Sequence, residues 1–211
     1  NYIEKFNNLS KSGTFKKITL YEEKSIEIIG NSLDLNKFTP KEMKNNDENG
    51  FEGVVIEKKT CTKCYARIFK KANVNNCREV NFICCLDHPS ILKFIGYSPV
   101  DFKKNQCPVI ITEYCSNGTL EDMLINNPSK LDDTAKLIII YGIANCLLYL
   151  HSHNIVHNCI STKNIILDDE LHPKLFNFNS SKNIKNKNKD KESDKDDDEE
   201  IYFPEINIFE R

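Results

Sequence analysis

His157 and Cys159 stand two residues apart, a separation that raises the idea of an imidazole-activated sulfur nucleophile. Cys61 and Cys64 form a C-x-x-C, which is half of a structural zinc site. A tetrahedral site needs four converging ligands, and the next cysteines, Cys84 and Cys85, are adjacent, so ordinary strand cysteines account better for the pair. Gly50 and Gly53 make a G-x-x-G. Without a Cβ, such a backbone can fold closely over phosphates and offer them its N–H groups, and the same spacing serves an ordinary hairpin turn. Asn164 is a loop asparagine of the kind that hydrogen-bonds the backbone of its own turn.

Elements must hold these residues in place. Between Gly13 and Gly30 a weak alternation suits a short strand or hairpin. Val109 to Ile111 reads as a fully buried strand, followed by a turn at Asn117 and Gly118 and an amphipathic helix. Leu131 to Asn154 has an Asp-rich start suited to an N-cap and then a long helix-forming run. Leu137, Ile138, Ile139, Ile140, Ile143, Ala144, Leu147, Leu148 and Leu150 cover more than one face, the pattern of a buried helix. From Lys182 to Glu200 lysines precede acids in a run that cannot bury apolar area, so it should be disordered and open to trypsin.

The 211 residues suffice for a real core, and a net charge of −2 gives no global basic field of the kind that marks a nucleic-acid binder. No apolar run is read as reaching the roughly 20 residues that span a bilayer, and the polar start is no signal peptide, which favours a cytoplasmic protein without membrane association. Nine cysteines without regular spacing read as reduced thiols. The chain starts without methionine, as a fragment or processed product does.

Taken in order, ENGFEGVV (48–55), CYARIF (64–69), REVNFICCLDHPSIL (78–92), VIITEYCSNGTLEDML (109–124) and YLHSHNIVHNCISTKNIILDDELHPKLFNFN (149–179) resemble the protein kinase family, and the fourth stretch is similar to its tyrosine-kinase-like group. The resemblance implies a nucleotide site made of Gly50, Gly53, Val55 over adenine, Arg67 at the strand lysine position, Glu79 as its helix partner, the gatekeeper Thr112, and the hinge residues Glu113, Tyr114 and Cys115. Glu48 would bring a carboxylate towards the phosphates. Phe203, Pro204 and Glu205 match the closing A-P-E. His157, Ile160 and Asn164 keep the catalytic-loop frame, and Phe178 centres the second motif.

The charged positions of that frame are changed. Asn158 replaces the arginine, Cys159 the catalytic aspartate, Ser161 the lysine, Asn177 the magnesium-binding aspartate and Asn179 the glycine. A thiol is a poor substitute for a carboxylate base, and base assistance is worth roughly 10² to 10⁴ in rate. A neutral amide offers a hard cation no charge. Asn164 and Asn177 therefore make a weak metal site or none.

The expectation is an α+β, protein kinase-like two-lobe fold with a small β-rich lobe and a truncated helical large lobe. Its parts are an N-terminal extension (1–32), a small lobe and hinge (33–115), a partial large lobe with the catalytic-loop frame (116–181), the charged insert (182–200) and a P-E remnant (201–211). The resemblance implies a pseudokinase, a binding or regulatory module with weak ATP binding and no Mg²⁺. The alternatives are a divergent ATP-dependent protein kinase and a partial gene product without a stable fold. In complete kinases the helix matching 131–154 is covered by the central helix of the large lobe, which is not encoded here. A protein partner or self-association through the 131–154 helix is expected instead, by Ile139, Ile143 and Leu147 or their neighbours with the register open, unless the helix turns Tyr141, Asn145 and Tyr149 outward.

Overall fold

The computed structural model describes residues 32–46, 50–71 and 74–183, and two short strands before them. These two, β1 (Lys17–Ile18) and β2 (Ile26–Glu27), pair antiparallel within the 13–30 alternation. Glu48, residues 184–200 of the charged run and the Phe203–Glu205 match lie outside the described residues.

The small lobe is a five-stranded antiparallel sheet in the order β3 (Phe38–Asn46), β4 (Gly50–Glu57), β5 (Lys63–Phe69), β7 (Val109–Glu113), β6 (Phe94–Ser98). Side chains on a strand alternate between faces, so each strand here serves two environments. Cys64, Ala66 and Ile68 of β5 join Leu35, Phe38, Val55, Val109 and Ile111 on the outer face. Tyr65, Arg67 and Phe69 take the other face, where Arg67 reaches helix α1 (Val74–Ile83). The lead-in to the sheet is tied to β6, where Leu33 N–H donates to the Tyr97 carbonyl at 2.6 Å.

Below the hinge, α2 (Leu120–Asn126) starts with a capping box in which Thr119 and Asp122 satisfy each other's backbone N–H groups. The long helix α3 (Asp133–Ser152) follows, its N-cap Asp132 accepting from the Ala135 N–H at 2.7 Å. The short strands β8 (Ile155–Val156), β9 (Ile165–Leu167), β10 (Pro173–Leu175) and β11 (Lys182–Asn183) fold the catalytic-loop frame beneath the sheet, β9 with β10 and β8 with β11. Lys182 and Asn183, counted above with the charged run, are thus in a ladder with Val156 and Ile155. A single apolar cluster runs from Cys77, Val80 and Ile83 of α1 through Phe178 to Ile139, Ile143, Cys146 and Leu150 of α3, so one core joins both lobes.

Two expectations for α3 are corrected. Ile139 and Ile143 are core residues at 0% and 1% exposure, while Leu137, Ile138, Ile140, Tyr141 and Leu148 face outward. The helix also reaches, by length and composition, what crossing a membrane requires, a property that core helices of globular proteins share. Its stripe Ala135, Ile139, Ile143, Cys146 and Leu150 is buried.

Candidate functional site in the cleft between the lobes

Arg67 and Glu79 meet as the sequence leads one to expect. Arg67 Nη2 donates to Glu79 Oε1 at 2.5 Å, linking β5 to α1. Burial opposes the charge on Arg67, but the Glu79 carboxylate outweighs it, and the guanidinium's pKa is raised. Arg78 in the same helix donates to the Asn179 carbonyl at 3.3 Å, tying α1 to the segment after the second motif.

The glycine pair sits in the sheet. A Cβ on Gly50, whose φ is +128°, would lie 2.1 Å from the Ile68 carbonyl oxygen, and one on Gly53 would lie 1.7 Å from that of Glu42. Neighbouring strand backbones therefore demand both glycines, the second paired with Met43, one place beyond the register shift between Pro40 and Glu42 in β3. Gly50 also lines the cleft.

Val55, which the resemblance sets over adenine, faces the outer core. It pairs with Cys64 and is buried in the outer core, and Val54, paired with Tyr65, takes the cleft face. A one-residue slip in register moves a side chain to the opposite face. On that same cleft face Glu52 stands across from Arg67.

Tyr65 is the residue that the motif reading missed. It lies two positions before Arg67, hence on the same face, and opposite Thr112 of β7. Burial, then the Glu52 carboxylate, pushes its phenol up to about 12, with Arg67 opposing and the hinge Tyr114 adding to the rise. The signal was available in the alternation of β5, where a large aromatic shares the face of the cation.

At the hinge, Thr112 is buried, its hydroxyl donating to the Glu113 carbonyl at 3.2 Å. Glu113 Oε1 accepts from Lys93 N–H at 2.8 Å and lies 3.3 Å from Lys174 Nζ of β10, bridging the lobes. Cys115 is buried and, through that burial and then the Glu113 charge, is pushed up to about 12.

In the catalytic-loop frame three side chains form a ladder. Asn164 is buried and donates to the Cys159 carbonyl at 2.9 Å and to the Cys159 sulfur at 3.1 Å. Its Oδ1 accepts from Asn177 Nδ2 at 3.0 Å. Asn177 has φ 67° and ψ 61°, and Asn158 has φ 61°, left-handed conformations that asparagine tolerates better than most residues. The turn-capping reading of Asn164 thus holds, and the ladder brings Cys159, Asn164 and Asn177 together.

His157 serves packing. Its Nε2 donates to the Phe176 carbonyl at 3.0 Å, and its ring meets Phe178 edge-on at 4.7 Å and 74°. Burial drives the imidazole down to about 4, against the Phe176 and Cys159 backbone, so it is neutral at pH 7. Nδ1 is buried with no side-chain hydrogen-bond partner, so no imidazole–thiol pair with Cys159 forms. Cys61 is exposed in a turn while Cys64 lies in the outer core, and the two do not converge on a ligand site; all nine cysteines are free thiols.

Gly50, Glu52, Arg67, Glu79, Asn177 and Asn179 line a cleft of about 200 Å³ between the lobes. A five-stranded sheet with an ion-paired helix, a hinge and a loop in this frame define a protein kinase-like two-lobe fold. The profile of the family described as protein tyrosine and serine/threonine kinase matches residues 43–205, and the chain belongs to that family. Its relatives include the serine/threonine-protein kinase TNNI3K of Mus musculus, 33% identical over 115 residues, 52% of this chain and 13% of that protein. The probable serine/threonine-protein kinase drkD of Dictyostelium discoideum is 33% identical over 103 residues, 48% and 8% of the two chains. A leaf rust 10 disease-resistance locus receptor-like protein kinase-like protein of Arabidopsis thaliana is 32% identical over 123 residues, 57% and 18%. The matched region thus spans less than a fifth of each of these relatives. TNNI3K is a member of the tyrosine-kinase-like group.

Proposed function

We propose that this chain is a pseudokinase: a kinase-fold binding or regulatory module that does not transfer phosphoryl groups. The observation that carries the reading is the ladder from Asn177 through Asn164 to Cys159. Kinases in general bind ATP and Mg²⁺, and catalysis rests on a carboxylate base and a carboxylate-held metal. Here the loop position is a thiol that accepts a hydrogen bond from an amide, and the metal position is an amide that donates to the remaining asparagine. A hard dication takes oxygen ligands and favours carboxylates, so these residues do not fit Mg²⁺.

The nucleotide side supports the same reading. Glu52 and Glu79 place two carboxylates around the one guanidinium of Arg67 in the cleft. Polyphosphate entering there meets carboxylate repulsion, and the guanidinium that would offset it is already largely neutralised by Glu79. Tyr65 adds bulk on the face where adenine would stack. ATP binding is therefore weak and insensitive to Mg²⁺. Nine free thiols suit a reducing cytoplasm.

One observation favours a divergent kinase instead: the formed ion pair of Arg67 with Glu79, an arrangement on which phosphoryl transfer in this family depends. Incubation of the purified chain with labelled ATP and Mg²⁺ or Mn²⁺, with itself and a generic protein substrate as acceptors, separates the two. We expect no label above that of an Arg67→Ala control. Incorporation that Arg67→Ala abolishes would overturn the pseudokinase reading.

A further inference from the structure

The outward face of α3 carries a pattern of its own. Leu137, Tyr141, Ala144 and Leu148 follow one another at intervals of four, three and four residues and are all exposed, the three large ones at 66%, 73% and 68%. At about 100° per residue this seam lies directly opposite the buried stripe of Ile139, Ile143, Cys146 and Leu150. Ile138 and Ile140, both exposed, flank it. Five large exposed apolar side chains present roughly 500 Å², within the range of patches that mark interaction sites.

We propose that this seam is a homodimer interface, in which α3 of a second copy packs antiparallel across it about a two-fold axis between Tyr141 and Ala144. The spacing reads the same from either end, which an isologous contact requires because each residue must meet its counterpart's partner. In that register Leu137 opposes Leu148 of the other copy, and the bulky Tyr141 opposes the small Ala144. The two macrodipoles then run antiparallel side by side, so the positive N-terminal end of one helix lies beside the negative C-terminal end of the other. Beside the seam a groove of about 670 Å³, lined in part by His88, Pro89, Leu137, Tyr141 and Pro173, gives the second copy a flank to fill. With that flank and its polar rim, the patch approaches the ~800 Å² per partner that a stable dimer buries.

The inference rests on reading the chain as a binding module, and the two fail separately. Phosphoryl transfer would sink that reading, whereas the oligomeric state decides this one. The experiment is sedimentation equilibrium of the 211-residue chain, unmodified and as Leu137→Glu, Leu148→Lys and Ala144→Trp variants, with thermal melts to confirm folding. The substituted residues are exposed, so the melts are expected to be unchanged. A dimer is expected for the unmodified chain, weakened at least about tenfold in each variant alone. Ala144→Trp adds apolar surface, so dimer loss there reports packing against Tyr141 and not stickiness. Mixing Leu137→Glu with Leu148→Lys chains is expected to restore a dimer, because only the antiparallel register sets the introduced carboxylate of one chain against the introduced ammonium of the other. A monomer at tens of micromolar, open-ended aggregation insensitive to these substitutions, dimerisation strengthened by Ala144→Trp, or no rescue on mixing would each overturn the proposal. So would capture of the face by a different protein in place of a second copy.

Discussion

Asn177 gives its amide to the side-chain oxygen of Asn164 at 3.0 Å, and the direction of that bond is set one residue further on. Asn164 must direct its own amide at the Cys159 carbonyl, which can only accept, so its oxygen is left facing Asn177. Asn177 can answer only with a donor. On the pseudokinase reading proposed above, these two amides stand where phosphoryl transfer in the family uses a carboxylate and a metal.

A carboxylate at this point would face an acceptor. Asn177→Asp is therefore expected to cost about 1–3 kcal/mol in urea unfolding, the range for an unsatisfied polar group in a partly buried place. Added Mg²⁺ should recover part of that loss, because a carboxylate beside Asn164 Oδ1 is a pair of hard oxygen ligands. Equal stability of variant and parent, with and without Mg²⁺, would show that the ladder does not hold the loop.

His157 makes stability depend on pH. Its imidazole titrates near 6.5 when unfolded and at about 4 in the fold. Between those values the unfolded chain binds the proton and the folded one refuses it, so stability is complete above pH 6.5 and falls as pH drops towards 4. The slope is about 1.4 kcal/mol per pH unit and the total on the order of 3 kcal/mol. Denaturant midpoints at pH 7.5, 6 and 5 would measure it. His157→Gln should lower stability at pH 7.5 and remove much of the slope, and an unchanged slope would assign the effect to other groups.

Some of this architecture was legible and some was not, for reasons that differ by residue. Arg67 with Glu79 could be paired because opposite charges in motifs twelve residues apart have one plausible meeting place. The face that Val55 takes is not legible, because strand register cannot be read to one residue when Val54 and Val55 are chemically alike. Ile139 and Ile143 were read as partner-facing because a helix apolar nearly all round carries no directional signal; the choice is made by the shapes of β10 and Phe178, which lie elsewhere in the chain. Tyr65 belongs to no charged motif, and only the alternation of β5 sets it on the face of Arg67. The glycine pair was found, but its reason lay in the backbones of β3 and β5, which sequence does not display.

Arg67 and Glu79 also allow a test of stability against pairing. The Glu79 side chain is 4% exposed, so removing its partner strands a buried charge. Arg67→Ala should cost about 3–5 kcal/mol, whereas the double change to Arg67→Met with Glu79→Leu should cost far less because no charge remains unpaired. A double variant as unstable as Arg67→Ala would mean that the pair organises α1 in ways beyond its own charge balance.

If the cleft is closed to nucleotide as proposed, two substitutions should reopen it. Tyr65 occupies the face opposite Thr112 at the hinge, and Glu52 stands beside Arg67 where phosphates would pass. Shortening Tyr65 to Ala removes an aromatic ring without touching the outer core, because its strand neighbours Cys64 and Ala66 face the other way. Replacing Glu52 by Gln removes one of the two carboxylates and leaves Arg67 paired to Glu79. Each change should add affinity through a different part of the ligand. Tyr65→Ala is expected to admit adenosine at least about tenfold more tightly than the unmodified chain, with no dependence on phosphate number. Glu52→Gln alone should leave adenosine unchanged and favour ADP and ATP, more so at low salt because charge repulsion is what it relieves. Isothermal calorimetry with adenosine, ADP and ATP, run with and without Mg²⁺, reads all of these separately. Sub-micromolar ATP binding by the unmodified chain would show that neither group closes this cleft, while a Tyr65→Ala variant that leaves adenosine unchanged would clear the ring, and a Glu52→Gln variant that leaves ADP and ATP unchanged would clear the carboxylate.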